Sequence, residues 1–334
     1  MRTYLVTGGA GFIGSNFIHY LLEEHDDIKI INLDKLTYAG NLANLKSIEK
    51  DSRYSFIHGD IADGKLVASL LKKKVDVIVN FAAETHVDRS IMDPTAFIKT
   101  DIFGTYELLE QARIHGVDCF LQISTDEVYG SIEVGSCNEE APLKPRNPYS
   151  ASKAGADRLA YSYWATYKLP VIITRCSNNF GFYQYPEKLI SLAITNLLEG
   201  KNVPVYGDGK NIRDWIFVKD HCRAVQFCIE HGRLGEVYNV AGRCEQFNID
   251  IVKKIIKILS LDEGRIEFVK DRLGHDRRYS LDDSKLRNLG WNSQHTFDDS
   301  LGATVAWYNQ NASWWSPIKT GQYLDYYKAQ YLNR

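Results

Sequence analysis

The sequence predicts an α/β protein in which a doubly wound parallel sheet is joined by a smaller, mostly C-terminal region. Three observations support this. Apolar runs without alternation recur through the first half, interleaved with stretches of helical periodicity. A glycine-rich turn links the first run to the first helix. Beyond about residue 176 the rhythm breaks and the loops lengthen.

In chain order the candidate strands are TYLVTG (3–8), IKIINLD (28–34), YSFIHGD (54–60), VDVIVNFAA (75–83), DCFLQIST (118–125) and PVIITRC (170–176). Strands of a parallel sheet are covered on both faces, so they read as continuous apolar runs. FIGSNFIHYLLEE (12–24) and AFIKTDIFGTYELLEQARIHG (96–116) carry apolar residues at helical spacing. Strand–helix alternation implies right-handed crossovers. Later, SNNFGFYQYPEK, VYGDGKNIRDW, AGRCEQFN and VKDRLGHDRRYS read as loops, with EKLISLAITNLLEG and DIVKKIIKILS as helices between them.

The 334 residues are 44% hydrophobic and 25% charged, with a net charge of −2, which argues against nucleic acid or an anionic membrane as the main partner. No run is long enough to span a bilayer, and the first strand begins at once, so a cytoplasmic protein is expected. The six cysteines form no CxxC pair and no Cys/His cluster at zinc spacing, so reduced thiols and no metal are expected.

TGGAGFIGSN follows the first strand and opens the first helix. Gly9, Gly11 and Gly14 fit GxGxxG, while Gly8, Gly11 and Gly14 fit GxxGxxG. Either spacing lets backbone N–H groups approach a pyrophosphate at a helix N-terminus. Asp34 ends the second strand, where a carboxylate accepts hydrogen bonds from the adenosine ribose. Its charge repels a 2′-phosphate, which favours NAD over NADP, with Lys35 beside it pulling the other way. These features define a Rossmann-type unit over residues 1–176, interleaved with later segments, with 177–334 mainly binding substrate. Asp60 and Ile61 fall where adenine would lie, though Asp60 also reads as a turn or cap residue. Ala82 and Ala83 are small enough for the cofactor to pass. His86 reads first as a hydrogen-bonded loop histidine.

Tyr149 and Lys153 stand four apart, on one helix face. An ammonium beside a phenol favours the phenolate, so the pair forms a base for an alcohol hydroxyl. Upstream, QISTDEVYG sets Asp126 and Glu127 side by side at the end of a buried strand. Adjacent carboxyls repel, and burying either one is costly unless it is paired or protonated.

TGGAGFIGSN, NLDKLTYAGN, ETHVDRSI, STDEVYG, YSASKAGAD, SNNFG, YPEKLI, VYGDGKNIRDWIFVKDHCRA and GHDRRY together resemble the dTDP-glucose 4,6-dehydratase family of the extended short-chain dehydrogenase/reductases. The match runs to about residue 280. The resemblance implies dehydration of a nucleotide-diphosphate hexose, with catalytic roles for Thr125, Asp126, Glu127, Tyr149 and Lys153. Tyr149 would take the 4-hydroxyl proton, Glu127 the carbon-5 proton, and Asp126 would protonate the leaving 6-hydroxyl. It also implies cofactor contacts at Phe12, Ile13, Lys35, Leu36, Thr37, Gly40, Phe81, Thr100 and Asn179. Epimerases of the superfamily share the Tyr/Lys pair but not the adjacent acids.

For the substrate the resemblance implies Thr85, Asn178, Lys188, Leu189, Val205, Tyr206, Arg213 and Asn248. Asp271, Arg272, His275 and Tyr279 would close over the diphosphate and base. Arg213 alone reads equally as an ion-pair partner of Asp214 or Asp208. Phe182, Ser191 and Leu273 stand where the family usually has Pro, and Ala241, Gly242 and Arg243 also depart from its pattern. These departures leave UDP-glucose and UDP-N-acetylglucosamine open beside dTDP-glucose. The resemblance further implies a homodimer through two long helices, here those near 94–115 and 149–168, the second rich in Tyr and Trp.

Overall fold

The computed structural model describes residues 1–272 and 274–332. The strands are β1 (Arg2–Thr7), β2 (Ile28–Asp34), β3 (Tyr54–His58), β4 (Val77–Asn80), β5 (Cys119–Thr125), β6 (Val171–Cys176), β7 (Asn178–Phe180), β8 (Val203–Tyr206), β9 (Ile212–Phe217), β10 (Val237–Val240), β11 (Glu245–Phe247) and β12 (Ile266–Val269). Seven form one sheet in the order β10-β6-β5-β4-β1-β2-β3, every pair parallel. Strands β4, β5 and β6 are buried at every residue, which is why they read as unbroken apolar runs. Separate apolar clusters cover the two faces: Phe17, Leu21 and Val225 belong to one, Leu70, Leu108 and Ala160 to the other.

Chain direction reverses its walk across the sheet between β1 and β4, the crevice in which doubly wound folds bind ligands. Three of the segments read as loops contain short strands. β7, β9 and β11 make a small three-stranded sheet, and β8 pairs with β12. These strands are three to six residues long, too short for a period-2 signal, and β7 and β9 mix Asn, Arg and Asp into theirs. The predicted helix 96–116 is helical but interrupted by a π-helical turn at Ile98–Gly104. That turn brings Asp101 inside, where its carboxylate accepts the Glu84 N–H at 2.9 Å and the Ser152 hydroxyl at 2.5 Å.

The helix Pro148–Tyr167 is set by a capping box: Asn147 accepts from the Ser150 N–H, and Ser150 Oγ accepts from the Asn147 N–H. Pro148 at its first turn fits, since that N–H needs no partner. This start fixes where Tyr149 and Lys153 point. No described helix is long and apolar enough to cross a membrane.

Candidate active site

One cavity runs from the first glycine turn to the small sheet, and almost every residue singled out in the sequence lines it. At its dinucleotide end stand Gly8, Gly11, Phe12, Ile13 and Gly14, with Asp34, Lys35, Thr37, Gly40, Asp60, Ile61, Phe81, Ala82, Ala83 and Thr100. Thr85, Thr125, Asp126, Glu127, Tyr149, Lys153, Asn178 and Asn179 line its middle, and Lys188, Leu189, Val205, Tyr206, Arg213, Asn248, Arg272, His275 and Tyr279 the rest.

Of the two glycine spacings, Gly8-Gly11-Gly14 is the one on the cavity wall. A Cβ on Gly8, at φ +67, would sit 2.7 Å from the Ala82 amide nitrogen, and one on Gly14 2.3 Å from the Gly8 carbonyl oxygen. Gly9 instead packs inward against Asn32 and Ile18. The helix Phe12–Glu24 has no side-chain cap, leaving its first N–H groups toward the crevice.

Two residues are displaced from their expected places. Leu36 does not line the cavity. It adopts φ +54, its N–H donates to Asp34 Oδ1 at 2.7 Å, and its side chain packs on the core. Asp271 also lies outside the wall and accepts from His275 Nδ1 at 2.6 Å, so it orients His275. Arg213 pairs with neither Asp208 nor Asp214: Asp208 is taken by Arg277, and Arg213 donates to the Asp276 carbonyl oxygen at 2.9 Å and lies 4.4 Å over the Tyr279 ring. Lys35 pairs with Asp60 at 2.8 Å, so its charge is already answered. His86 is buried and held neutral by desolvation, its pKa well below the usual value.

The two adjacent acids differ in setting. Asp126 is 3% exposed, accepts from Thr125 Oγ1 at 3.1 Å through Oδ1, and meets no hydrogen-bond partner at Oδ2. Burial, then the charge of Glu127, pushes its pKa well above the carboxylate range. Glu127 is half-buried and only loosely tethered, by Asn147 Nδ2 and the Tyr279 hydroxyl, both at 3.4 Å from Oε2. Lys153 Nζ donates to the Ile123 carbonyl oxygen at 2.7 Å. Against expectation, the Tyr149 phenol sits well above its ordinary pKa: burial dominates, the Glu127 charge adds to it, and only a hydrogen bond with Thr125 opposes.

Sequence reasoning passed over several wall residues: Asn147, Gln184, Glu187, Asp276 and Tyr331. Asn147 before Pro148 carried a readable cap signal. Tyr331 carried none, since it reaches the cavity from the far end of the chain.

None of Phe182, Ser191, Ala241, Gly242 and Arg243 lines the cavity. Phe182 packs on Phe217 and Trp307, Ser191 caps carbonyls of Tyr185 and Lys188, and Arg243 pairs with Asp283. Leu273 lies outside the described residues.

A dinucleotide crevice beside a Tyr-x-x-x-Lys helix defines an extended short-chain dehydrogenase/reductase. The model of the GDP-mannose 4,6 dehydratase family matches residues 5–304. A dTDP-glucose 4,6-dehydratase of Xanthomonas campestris is 47% identical over 97% of either chain. The low-salt glycan biosynthesis protein Agl12 of Haloferax volcanii is 51% identical over 91% of this chain and 97% of its own. A dTDP-glucose 4,6-dehydratase of Streptomyces venezuelae, solved with NAD bound, superposes with a TM-score of 0.93 at 49% identity, covering 95% of this chain and all of that one. The chain belongs to this family of nucleotide-sugar 4,6-dehydratases, as the sequence resemblance implies.

Proposed function

We propose that this protein is an NAD-dependent hydro-lyase that converts dTDP-glucose to the 4-keto-6-deoxy sugar nucleotide and water. The observation that carries the reading is the pair Asp126–Glu127 on the same cavity wall as Tyr149 and Lys153. Epimerisation at carbon 4 needs no elimination and no such pair.

The residues fit NAD. Gly8 and Gly14 keep a cradle that any Cβ would fill, the following helix start is uncapped, and Asp34 stands at the end of β2. Bound there, NAD supplies a hydride acceptor at carbon 4 and later a hydride donor at carbon 6. Tyr149 must act as the phenolate, with the Lys153 ammonium offsetting the burial that raises its phenol; it then takes the proton of the 4-hydroxyl, and Thr125 hydrogen-bonds the same oxygen. Lys153 would hold the cofactor's ribose. Once carbon 4 is a ketone, the carbon-5 hydrogen is acidic, and Glu127, loosely tethered, takes it. Asp126 gives its proton to the 6-hydroxyl from Oδ2, the oxygen no protein group occupies. Water leaves, and Glu127 returns its proton to carbon 5 when carbon 6 is reduced. Lys188, Arg213, Arg272 and His275 supply donors for the diphosphate, and Val205, Tyr206 and Asn248 surround the base.

The protein is further read as a homodimer and as cytoplasmic. Ile98, Phe103, Tyr106, Ile114, Tyr161 and Tyr167 are exposed on the two candidate helices, and six free thiols suit a reducing compartment. The test of function is incubation with dTDP-glucose, UDP-glucose and UDP-N-acetylglucosamine, followed by mass spectrometry. Loss of one water from dTDP-glucose without net NADH is expected. Turnover of a UDP-sugar alone would overturn the choice of base.

A further inference from the structure

The turn after β2 is fastened at several points. Lys35 pairs with Asp60, the Gly40 N–H donates to the Thr37 carbonyl at 3.0 Å, and the Asn41 N–H donates to the Ala10 carbonyl at 2.9 Å. One fastening differs in kind. Tyr38 Oη donates to Glu187 Oε1 at 2.9 Å, joining positions 149 residues apart. The Arg89 guanidinium lies 3.8 Å over the Tyr38 ring, and the Tyr185 ring meets Tyr38 edge-on at 5.4 Å. The Glu187 side chain is 3% exposed; its second oxygen has Arg89 Nε at 3.7 Å and His86 Nε2 at 3.8 Å and accepts no hydrogen bond.

The two ends of this bridge come from two distant segments that both line one cavity. Lys35, Thr37, Ala39 and Gly40 line it on the Tyr38 side, and Gln184, Tyr185 and Glu187 on the other. The bridge therefore closes a loop of protein around the dinucleotide end. Burial pushes the Glu187 carboxyl up to about 7 against the opposing charges of Lys188 and Arg89, so holding it here is costly. The chemistry supplies a reason, given the function proposed above: hydride taken from one carbon of the sugar must return to another before the cofactor leaves.

We propose that the Tyr38–Glu187 bridge is a clasp that retains the dinucleotide through the catalytic cycle. Tyr38 and Glu187 are positioning residues: neither touches the reacting carbons, and both act by keeping the two segments together. Lys188, the next residue, lines the same cavity, its Nζ donating to the Thr85 carbonyl at 2.8 Å.

The test uses the full chain loaded with NAD. Dissociation is followed by exchange against excess fluorescent etheno-NAD in wild type, Tyr38→Phe, Glu187→Gln and the double variant. At about pH 8, above the raised Glu187 pKa of about 7, a hydrogen bond to a charged group predicts dissociation about tenfold to a hundredfold faster in each single variant. The double variant should be no faster than the worse single, since one bond is lost in all three. Free NADH should accumulate during turnover only in the variants, while KM for the nucleotide sugar stays near wild type. Unchanged dissociation in Tyr38→Phe, which removes one oxygen and leaves the ring packed, overturns the clasp. A wild-type protein that binds no NAD would instead overturn the function on which the clasp rests.

Discussion

Thr125 Oγ1 and Asp126 Oδ1 stand 3.1 Å apart, hydroxyl donating to carboxyl, and the same threonine oxygen accepts the Glu127 N–H at 3.3 Å. Thr125 thus orders the turn that holds both acids. With Oδ1 engaged, a proton on Asp126 resides on Oδ2, and Oδ2 is the oxygen without a protein partner. The acid is aimed by its neighbour.

Asp126→Asn removes the acid and leaves the base, so oxidation at carbon 4 and exchange of the carbon-5 hydrogen with solvent deuterium should outlast dehydration. Glu127→Gln removes the base, so exchange and turnover should fall together. Each loss is expected to be about 10²–10⁴-fold in kcat. Less than about tenfold in both variants would deprive the pair of its role.

The raised pKa of Asp126 gives a sign for the pH profile. A general acid works protonated, so its contribution is full below the folded-state pKa and is lost as pH rises through it. Because burial and the Glu127 charge hold that pKa above the ordinary carboxylate range, dehydration should persist at pH values where a solvated aspartate has ionised. Single-turnover dehydration rates against pH check this. A decline already complete by about pH 5, one unit above a model aspartate, would contradict it.

The sequence made the large sheet legible because its strands are buried on both faces, and β2 and the helix Phe12–Glu24 fall on the residues expected. The site was legible where chemistry and local geometry coincide in one short stretch, as in the glycine turn, STDEVYG and YSASK. What escaped was non-local. Nothing near Leu36 announces its left-handed turn, and nothing near Tyr38 or Glu187 announces their partnership across 149 residues. Tyr149 shows a different limit: the spacing to Lys153 predicted a depressed phenol, but burial and a third residue, Glu127, decide the direction. The short strands β7, β9 and β11 form because a neighbouring segment pairs with them, and their own residues carry no periodic signal.

On the proposed dimer, the aromatic stretch of the second helix divides. Tyr163 is buried and its hydroxyl donates to Glu110 at 3.0 Å, whereas Tyr161 and Tyr167 are exposed. The exposed set with Ile98 and Phe103 is the face expected to meet a second copy. Light scattering at micromolar concentration should give twice the chain mass, and Phe103→Glu with Tyr161→Glu should shift it to the monomer. A wild-type monomer would remove the dimer from the reading.

The last prediction concerns a buried ion pair behind the acids. Arg175 is 1% exposed and Asp157 fully buried, joined at 2.8 Å through Nε and at 3.0 Å through Nη2. The same guanidinium donates to Tyr129 Oη at 2.7 Å, and Tyr129 closes the turn that carries Asp126 and Glu127. Breaking the pair from one side strands a charge in the core. Asp157→Ala should therefore cost about 3–5 kcal/mol of unfolding free energy. Replacing both partners by apolar residues of similar size, Asp157→Leu with Arg175→Met, should cost less than that single change, because no buried charge is left behind; Arg158, which also meets Asp157, reaches solvent. Urea unfolding of the three proteins, with the slope compared as well as the midpoint, makes the measurement. An Asp157→Ala cost below about 1 kcal/mol would mean water reaches Arg175 after all, and the double variant would then lose its advantage.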